Sequence, residues 1–343
     1  MEFPKTKTGI ETTNPIYKEF FFKSKLEARV EQTKWHGQYS KNSFCFINPE
    51  VKYKQREKDV LETLQKVFDI RSDSFKKKYE MAISGDGQEV KRISTLHSSS
   101  LAALLLLYSV SKANSLECKL DGKNYKFDNC YFEVKTNVKD SHFSNMDVVL
   151  VGKNSEGRDV LFFLESKFSE YLNTGMCNNI SLDAYKDKYK ELGLLGDNAI
   201  PELLFTEGEG KDNIECLQIK SSTREPQYCS GIKQMISHYI GLTNFVEKGE
   251  EALYPKQKSH LDEIVKLRNE GAVIILGEVL FAFGDTVDKG ASKRSRYSTI
   301  YKRLATILNN HTSKLYILPE ILTYQELLKR FNLDEKVKDF YQL

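Results

Sequence analysis

The chain has 343 residues, of which 40% are hydrophobic and 11% aromatic. That is enough apolar material for one large domain and excludes a disordered chain. The net charge of +3 is uninformative as a total, and no apolar run reaches the roughly 18 residues that cross a bilayer, so a cytoplasmic protein without a membrane partner is expected. The N-terminal Met1-Glu2-Phe3-Pro4-Lys5 has no signal-peptide character. Six scattered cysteines (Cys45, Cys118, Cys130, Cys177, Cys216 and Cys229) form no C-x-x-C pair, which suits reduced thiols better than disulfides or zinc.

In chain order, Glu57 to Phe68 carries apolar residues at Val60, Leu61, Leu64, Val67 and Phe68, the spacing of an amphipathic helix. A polar, glycine-containing stretch at Ser84 to Glu89 follows. Leu96 to Val110 reads as a helix buried on most sides, with Ser98, Ser99 or Ser100 to cap it. Three strand-like segments come next: Cys130 to Val138, Met146 to Val151 and Val160 to Leu164. The stretch 152–157 has the composition of a hairpin turn between the last two. Little is predicted for 169–215. Gly231 to Val246 is a helix, Ala272 to Phe283 a long buried strand, and Arg296 to Asn310 an amphipathic helix. Leu315 to Leu318 suits an edge strand and Tyr324 to Phe331 a last short helix. The order of helix, three strands, helix and strand predicts an α/β class with a central mixed β-sheet flanked by helices on both faces. No linker divides the chain. A single domain is expected over 1–343, with an N-terminal helical elaboration at 1–84, a core at 85–285 and a C-terminal elaboration at 286–343.

Three basic groups stand out: Lys52, Lys54, Arg56 and Lys58; Lys76 to Lys78; and Lys293, Arg294, Arg296, Lys302 and Arg303, the last interleaved by Tyr297 and Tyr301. Such groups grip phosphates in nucleic-acid proteins. In a chain with 51 basic and 48 acidic side chains, solvated faces are the commoner explanation for any one of them.

The stretch that carries chemistry runs from Asn145 to Phe168. Strand residues two apart share a face, so Glu165 and Lys167 point together and Ser166 points away. If the two strands pair as a hairpin, Asp147 lies beside Glu165 and Lys167. Two carboxylates with a backbone carbonyl, that of Ser166, form an oxygen site suited to Mg²⁺, with Mn²⁺ as substitute. Lys167 would then orient or deprotonate a water, or stabilise developing charge. Glu-x-Lys also occurs at Glu50, Glu89, Glu117, Glu133 and Glu209, and of these Glu133-Val134-Lys135 is the rival in a strand-like segment. A surface ion pair at a strand end is the alternative account of Glu165 and Lys167.

Asn145-Met146-Asp147-Val148-Val149-Leu150, followed by Leu164-Glu165-Ser166-Lys167-Phe168, resembles the PD-(D/E)XK superfamily of restriction-endonuclease-like nucleases. Met146 stands where the family name has proline. His97-Ser98-Ser99-Ser100 and Gly87-Gln88-Glu89 resemble elements of a bacterial group within it. The resemblance spans roughly 85–285. It implies a restriction-endonuclease-like core, Asp147 and Glu165 as metal ligands, Lys167 as the catalytic lysine, and nucleic acid, expected to be double-stranded DNA, as substrate. It also makes Gln234 a candidate, because many members carry a glutamine on the helix after the E-x-K strand. His238 shares its helical face. Glu89 and Glu133 are further candidate acids, and His97 a candidate phosphate contact. A homodimer would suit the cutting of both strands. The alternative reading is a non-catalytic DNA- or partner-binding module on the same fold.

Overall fold

A computed structural model describes residues 53–84, 90, 93, 98–172, 179–183, 186–194, 199–209, 215–284, 289–341 and 343. Its centre is a seven-stranded mixed sheet. Strand β1 (Leu116–Leu120) pairs with β2 (Lys123–Lys139), β2 with β3 (His142–Asn154) and β3 with β4 (Asp159–Lys167), all antiparallel. The hairpin turn occupies 155–158, slightly later than the composition suggested. Asn154 Oδ1 accepts from the Glu156 and Arg158 amides, and Gly157 takes φ +79°.

Helices precede and cover this sheet. Helix α1 (Tyr53–Phe68) buries Val60, Leu64, Val67 and Phe68 along the predicted face. Helix α2 (Asp73–Ala82) is capped by Ser72, packs Phe75 against Tyr108 and sends Lys78 Nζ to Asn129 Oδ1 (2.9 Å). Helix α3 (Ser99–Leu107) is capped by Ser98, whose Oγ accepts from the Leu101 amide. Its residues from Ser100 to Leu107 are all buried, as expected of a helix apolar on every side.

The segment 169–215, for which the sequence predicted little, supplies a second sheet of three antiparallel strands. β5 (Asn179–Asp183) and β6 (Leu203–Glu209) flank β7 (Glu215–Ser221), with helix α4 (Lys186–Glu191) between β5 and β6 in sequence. The helix predicted at Gly231 is α5 (Cys229–Lys248), a little longer at both ends. Helix α6 (Asp262–Asn269), not anticipated, leads into β8 (Val273–Leu280).

Strand β8 lies parallel to β4, placing Glu165 opposite Glu278. Helix α7 (Gly290–Asn309) starts earlier than its periodicity suggested. Two short strands, β9 (Leu315–Ile317) and β10 (Leu322–Thr323), add in parallel to β8, and α8 (Tyr324–Leu327) and α9 (Glu335–Tyr341) close the chain. The two faces of β4 alternate as a strand must. Ser166 Oγ donates to the Ser99 carbonyl at the start of α3, while Phe163 packs on Phe245 of α5. Helices therefore cover both faces. Among the described residues no helix is long and apolar enough to cross a membrane.

The third basic group differs from its sequence reading. Tyr297 and Tyr301 are buried rather than interleaved with exposed cations, because their helix turns them into the core. Arg296 pairs with Glu225, Arg303 Nη1 with Glu202 Oε2 (2.8 Å), and Lys293 Nζ donates to the Leu172 carbonyl. These three cations are thus engaged within the chain. Cys118 and Cys130 are free thiols, and Cys216 and Cys229 are buried. Cys45 and Cys177 lie outside the described residues.

Candidate functional site

Hairpin register assembles the site. Val148 pairs with Leu164 and Phe132 with Val148, so Glu133, Asp147, Glu165 and Glu278 come from adjacent positions on four neighbouring strands. Glu133 stands at φ +55°, and the β2–β3 ladder passes over it between Phe132 and Val134. This break sits at the site itself. Asp147 lies near the middle of β3 and not at its head, because the strand runs back to His142.

Asp147 Oδ2 accepts from the Ser166 amide at 2.7 Å, clamping β3 to β4. Its Oδ1 makes no hydrogen bond among the described residues, and the residue is partly exposed. Lys167 Nζ forms an ion pair with Glu165 Oε1 and donates to Gln234 Oε1 (2.7 Å). Gln234 Nε2 donates in turn to Glu165 Oε1 (2.9 Å), and Glu165 Oε2 meets His238 Nε2 at 2.8 Å. The i, i+4 pair on α5 thus grips both oxygens of one carboxylate. With Nε2 donating, Nδ1 of His238 accepts from the Ser144 hydroxyl.

The relay Ser144–His238–Glu165 contains a hydroxyl, an imidazole and an acid, as serine hydrolases do. Ser144 is only 5% exposed beneath α5, so the chain of bonds fixes the ring and the carboxylate rather than presenting a nucleophile.

Electrostatics separate the acids. Burial pushes Glu165 up, but Lys167 and His238 outweigh it and hold the carboxyl at about 2. Burial opposes the charge on Lys167 as well, yet Glu165 and the acidic groups Tyr228, Glu278 and Glu170 keep its ammonium well above the usual lysine range. Asp147 is raised well above an ordinary aspartate by burial, then by Glu165 and Glu133. Glu278, fully buried on β8, is pushed up to about 8 by burial, with Lys167 and Tyr297 opposing. Tyr297 Oη donates to its Oε2 at 2.8 Å, and Oε1 has no hydrogen-bond partner among the described residues. One ion pair therefore sits beside two acids, Asp147 and Glu278, whose proton affinities are raised above the ordinary carboxylate range by burial.

Among the sequence candidates, Asp147, Glu165, Lys167, Gln234 and His238 come together. Glu133 joins them as a 3%-exposed acid bonded by Asn145 Nδ2, with its carbonyl held by Gln257 Nε2 (2.6 Å). Ser166 turns its side chain to the opposite face, where Oγ also meets Tyr324 Oη at 2.8 Å. Glu89 and His97 lie outside the described residues. Glu278 and Ser144 went unremarked in the sequence. A carboxylate inside the apolar run Val273 to Phe283 was the available signal for Glu278, since such a group is costly unless paired or protonated. Among the described residues no group of three or more His, Cys, Asp or Glu side chains is arranged to hold a metal ion. No protein-family model, curated protein or solved structure matches the chain.

Proposed function

We propose that the chain is a metal-dependent nuclease of restriction-endonuclease-like fold that hydrolyses phosphodiester bonds, with double-stranded DNA as its substrate. The observation that supports this reading is the meeting of Asp147 with Glu165 and Lys167 at adjoining positions of β3 and β4, with Gln234 reaching in from α5.

The donor set fits Mg²⁺ or Mn²⁺: Asp147 Oδ1 makes no hydrogen bond among the described residues, its proton affinity is raised by burial and then by Glu165 and Glu133, and Glu165 lies across the hairpin. Asp147, Glu165 and the Ser166 carbonyl would hold the ion. When bound, it supplies Lewis-acid stabilisation of charge on the phosphoryl oxygens. Lys167 stays protonated beside Glu165, so its contribution is charge stabilisation and not proton abstraction. Gln234 holds the ammonium and the carboxylate in one geometry, and His238 braces Glu165 from the other side.

A second reading is a non-catalytic DNA- or partner-binding module. The full occupation of Glu165 by Lys167, Gln234 and His238 favours it, because a metal must displace one of those bonds. Incubation of supercoiled plasmid with the full chain in Mg²⁺, Mn²⁺ or chelator separates the two. Metal-dependent nicking by wild type but not by Lys167→Ala is expected for the nuclease. Metal-independent DNA binding without nicking would establish the module instead.

A further inference from the structure

A cavity of about 750 Å³ opens between the β1–β2 edge and α8, lined by Lys119, Lys126, Lys153, Lys329 and Arg330 against Glu117 and Glu326. A second, of about 640 Å³, is lined by Lys123, Arg158, Arg268 and Lys314 against Asp121. Both include Tyr125 and Asn154, so they form one continuous surface. Nine cations and three carboxylates line it, and Glu156 and Asp159 just outside the lining pair with Arg158 and Lys153, so cations still exceed carboxylates by nine to five on a chain whose total charge is only +3. Among the described residues this surface gathers an excess of positive charge.

Local ion pairs, of Lys126, Lys153 and Arg158, neutralise only part of this surface. Among the described residues, Lys119, Lys123, Lys314, Lys329 and Arg330 form no ion pair and are exposed. Asp121 is engaged by the Tyr316 hydroxyl at 2.6 Å. Lys126 and Lys153 stand directly opposite one another in the β2–β3 register. Like charges in that position destabilise a sheet by a few tenths of a kcal/mol. Lys126 reaches Glu117 (3.5 Å) and Lys153 reaches Asp159 (2.6 Å), but these exposed pairs recover little.

We propose that this surface is a docking face for the phosphodiester backbone of a polynucleotide, an inference that rests on the nuclease reading for its link to the Asp147 site. Lys153 lies six positions beyond Asp147 on β3, about 20 Å at roughly 3.3 Å per residue. A duplex rises about 3.4 Å per base pair, so a bound duplex reaches from one place to the other only when it exceeds roughly six base pairs. The partner's class follows from shape and chemistry. The surface is concave, with Tyr125 and Tyr316 on its walls. The only large exposed hydrophobic among the described residues is Leu204 on β6, so it lacks the apolar anchor that a membrane surface requires.

The test is fluorescence anisotropy of a 30-base-pair duplex with the full chain in chelator, from 50 to 200 mM KCl, comparing wild type with the triple variant Lys119→Gln, Lys329→Gln, Arg330→Gln. Each lost phosphate contact removes about 0.9 from the slope of log K against log salt. The triple variant should therefore lose between two and three in slope and on the order of 10²-fold in affinity at 0.1 M. Its circular dichroism and its turnover of a small chromogenic phosphodiester should match wild type. Equal affinity and slope in the two proteins would overturn the proposal, as would preferential displacement of duplex by polyglutamate or phosphatidylserine vesicles at equal charge. Duplex binding at this face by a protein that turns over no phosphodiester would leave the docking face standing and remove the nuclease reading. Turnover with an unaltered salt slope would do the reverse.

Discussion

Gly231 packs α5, which carries Gln234 and His238, against Tyr297 of α7. A Cβ placed there would lie 2.2 Å from Tyr297 Oη, 2.6 Å from Tyr228 Cε1 and 2.7 Å from Tyr297 Cζ. Ordinary contact begins at 3.4 Å, so Gly231→Ala demands more than 1 Å of movement between buried rings. Either α5 shifts outward or Tyr297 rotates away from Glu278. Overpacking of this kind costs about 1–3 kcal/mol. Losing the bond from Tyr297 would leave both oxygens of Glu278 unpaired and add about 1–3 kcal/mol. Alanine returns up to about 1 kcal/mol through helix propensity. The net expectation is a destabilisation of roughly 2–4 kcal/mol, read from urea unfolding. Metal-dependent cleavage should fall with it, as Gln234 and His238 ride on the displaced helix. A variant as stable as wild type within about 0.5 kcal/mol would refute the packing argument.

Two further outcomes follow from the buried polar groups. A Glu278 carboxyl at about 8 in the folded chain, against an ordinary value of 4.5, contributes stability that is complete below about pH 4.5 and lost as pH rises through 8. Unfolding free energy measured in chelator from pH 5 to 9 should thus fall for wild type, by an amount on the order of 5 kcal/mol at most, relative to Glu278→Gln; parallel curves would contradict this. His238→Ala leaves Glu165 Oε2 and the Ser144 hydroxyl without their shared partner. It should cost about 2–4 kcal/mol in thermal or denaturant unfolding, and a loss below 0.5 kcal/mol would mean that Glu165 is held by Lys167 and Gln234 alone.

The site was legible where one short-range rule settled it. The i, i+2 projection of Glu165 and Lys167 and the hairpin return to Asp147 follow from strand period and turn composition, and the i, i+4 spacing placed Gln234 and His238 on one face. What escaped depends on long-range pairing. The parallel registry of β8 with β4 brings Glu278 opposite Glu165, and nothing local in Val273 to Phe283 specifies that partner. The small sheet of β5, β6 and β7 was missed because its strands are short and polar, with Glu207, Glu209 and Lys220 breaking the alternation. Strand ends were underestimated for a related reason. Lys123 to Asn129 and His142 to Asn145 pair through their backbones while exposing many side chains. The buried Tyr297 and Tyr301 show the converse, aromatics among cations that pack inward because the helix face, and not the adjacent charge, decides their direction.

The most direct test of the central claim is one assay, the rate of duplex cleavage against Mg²⁺ concentration for wild type, Asp147→Asn and Lys167→Ala. The account predicts that Asp147→Asn shifts the curve to higher Mg²⁺, while Lys167→Ala keeps the half-saturating concentration and loses at least about 10²-fold in maximal rate. Cleavage by wild type that neither substitution alters would show that Asp147, Glu165 and Lys167 are a structural ion-pair cluster and that hydrolysis occurs elsewhere.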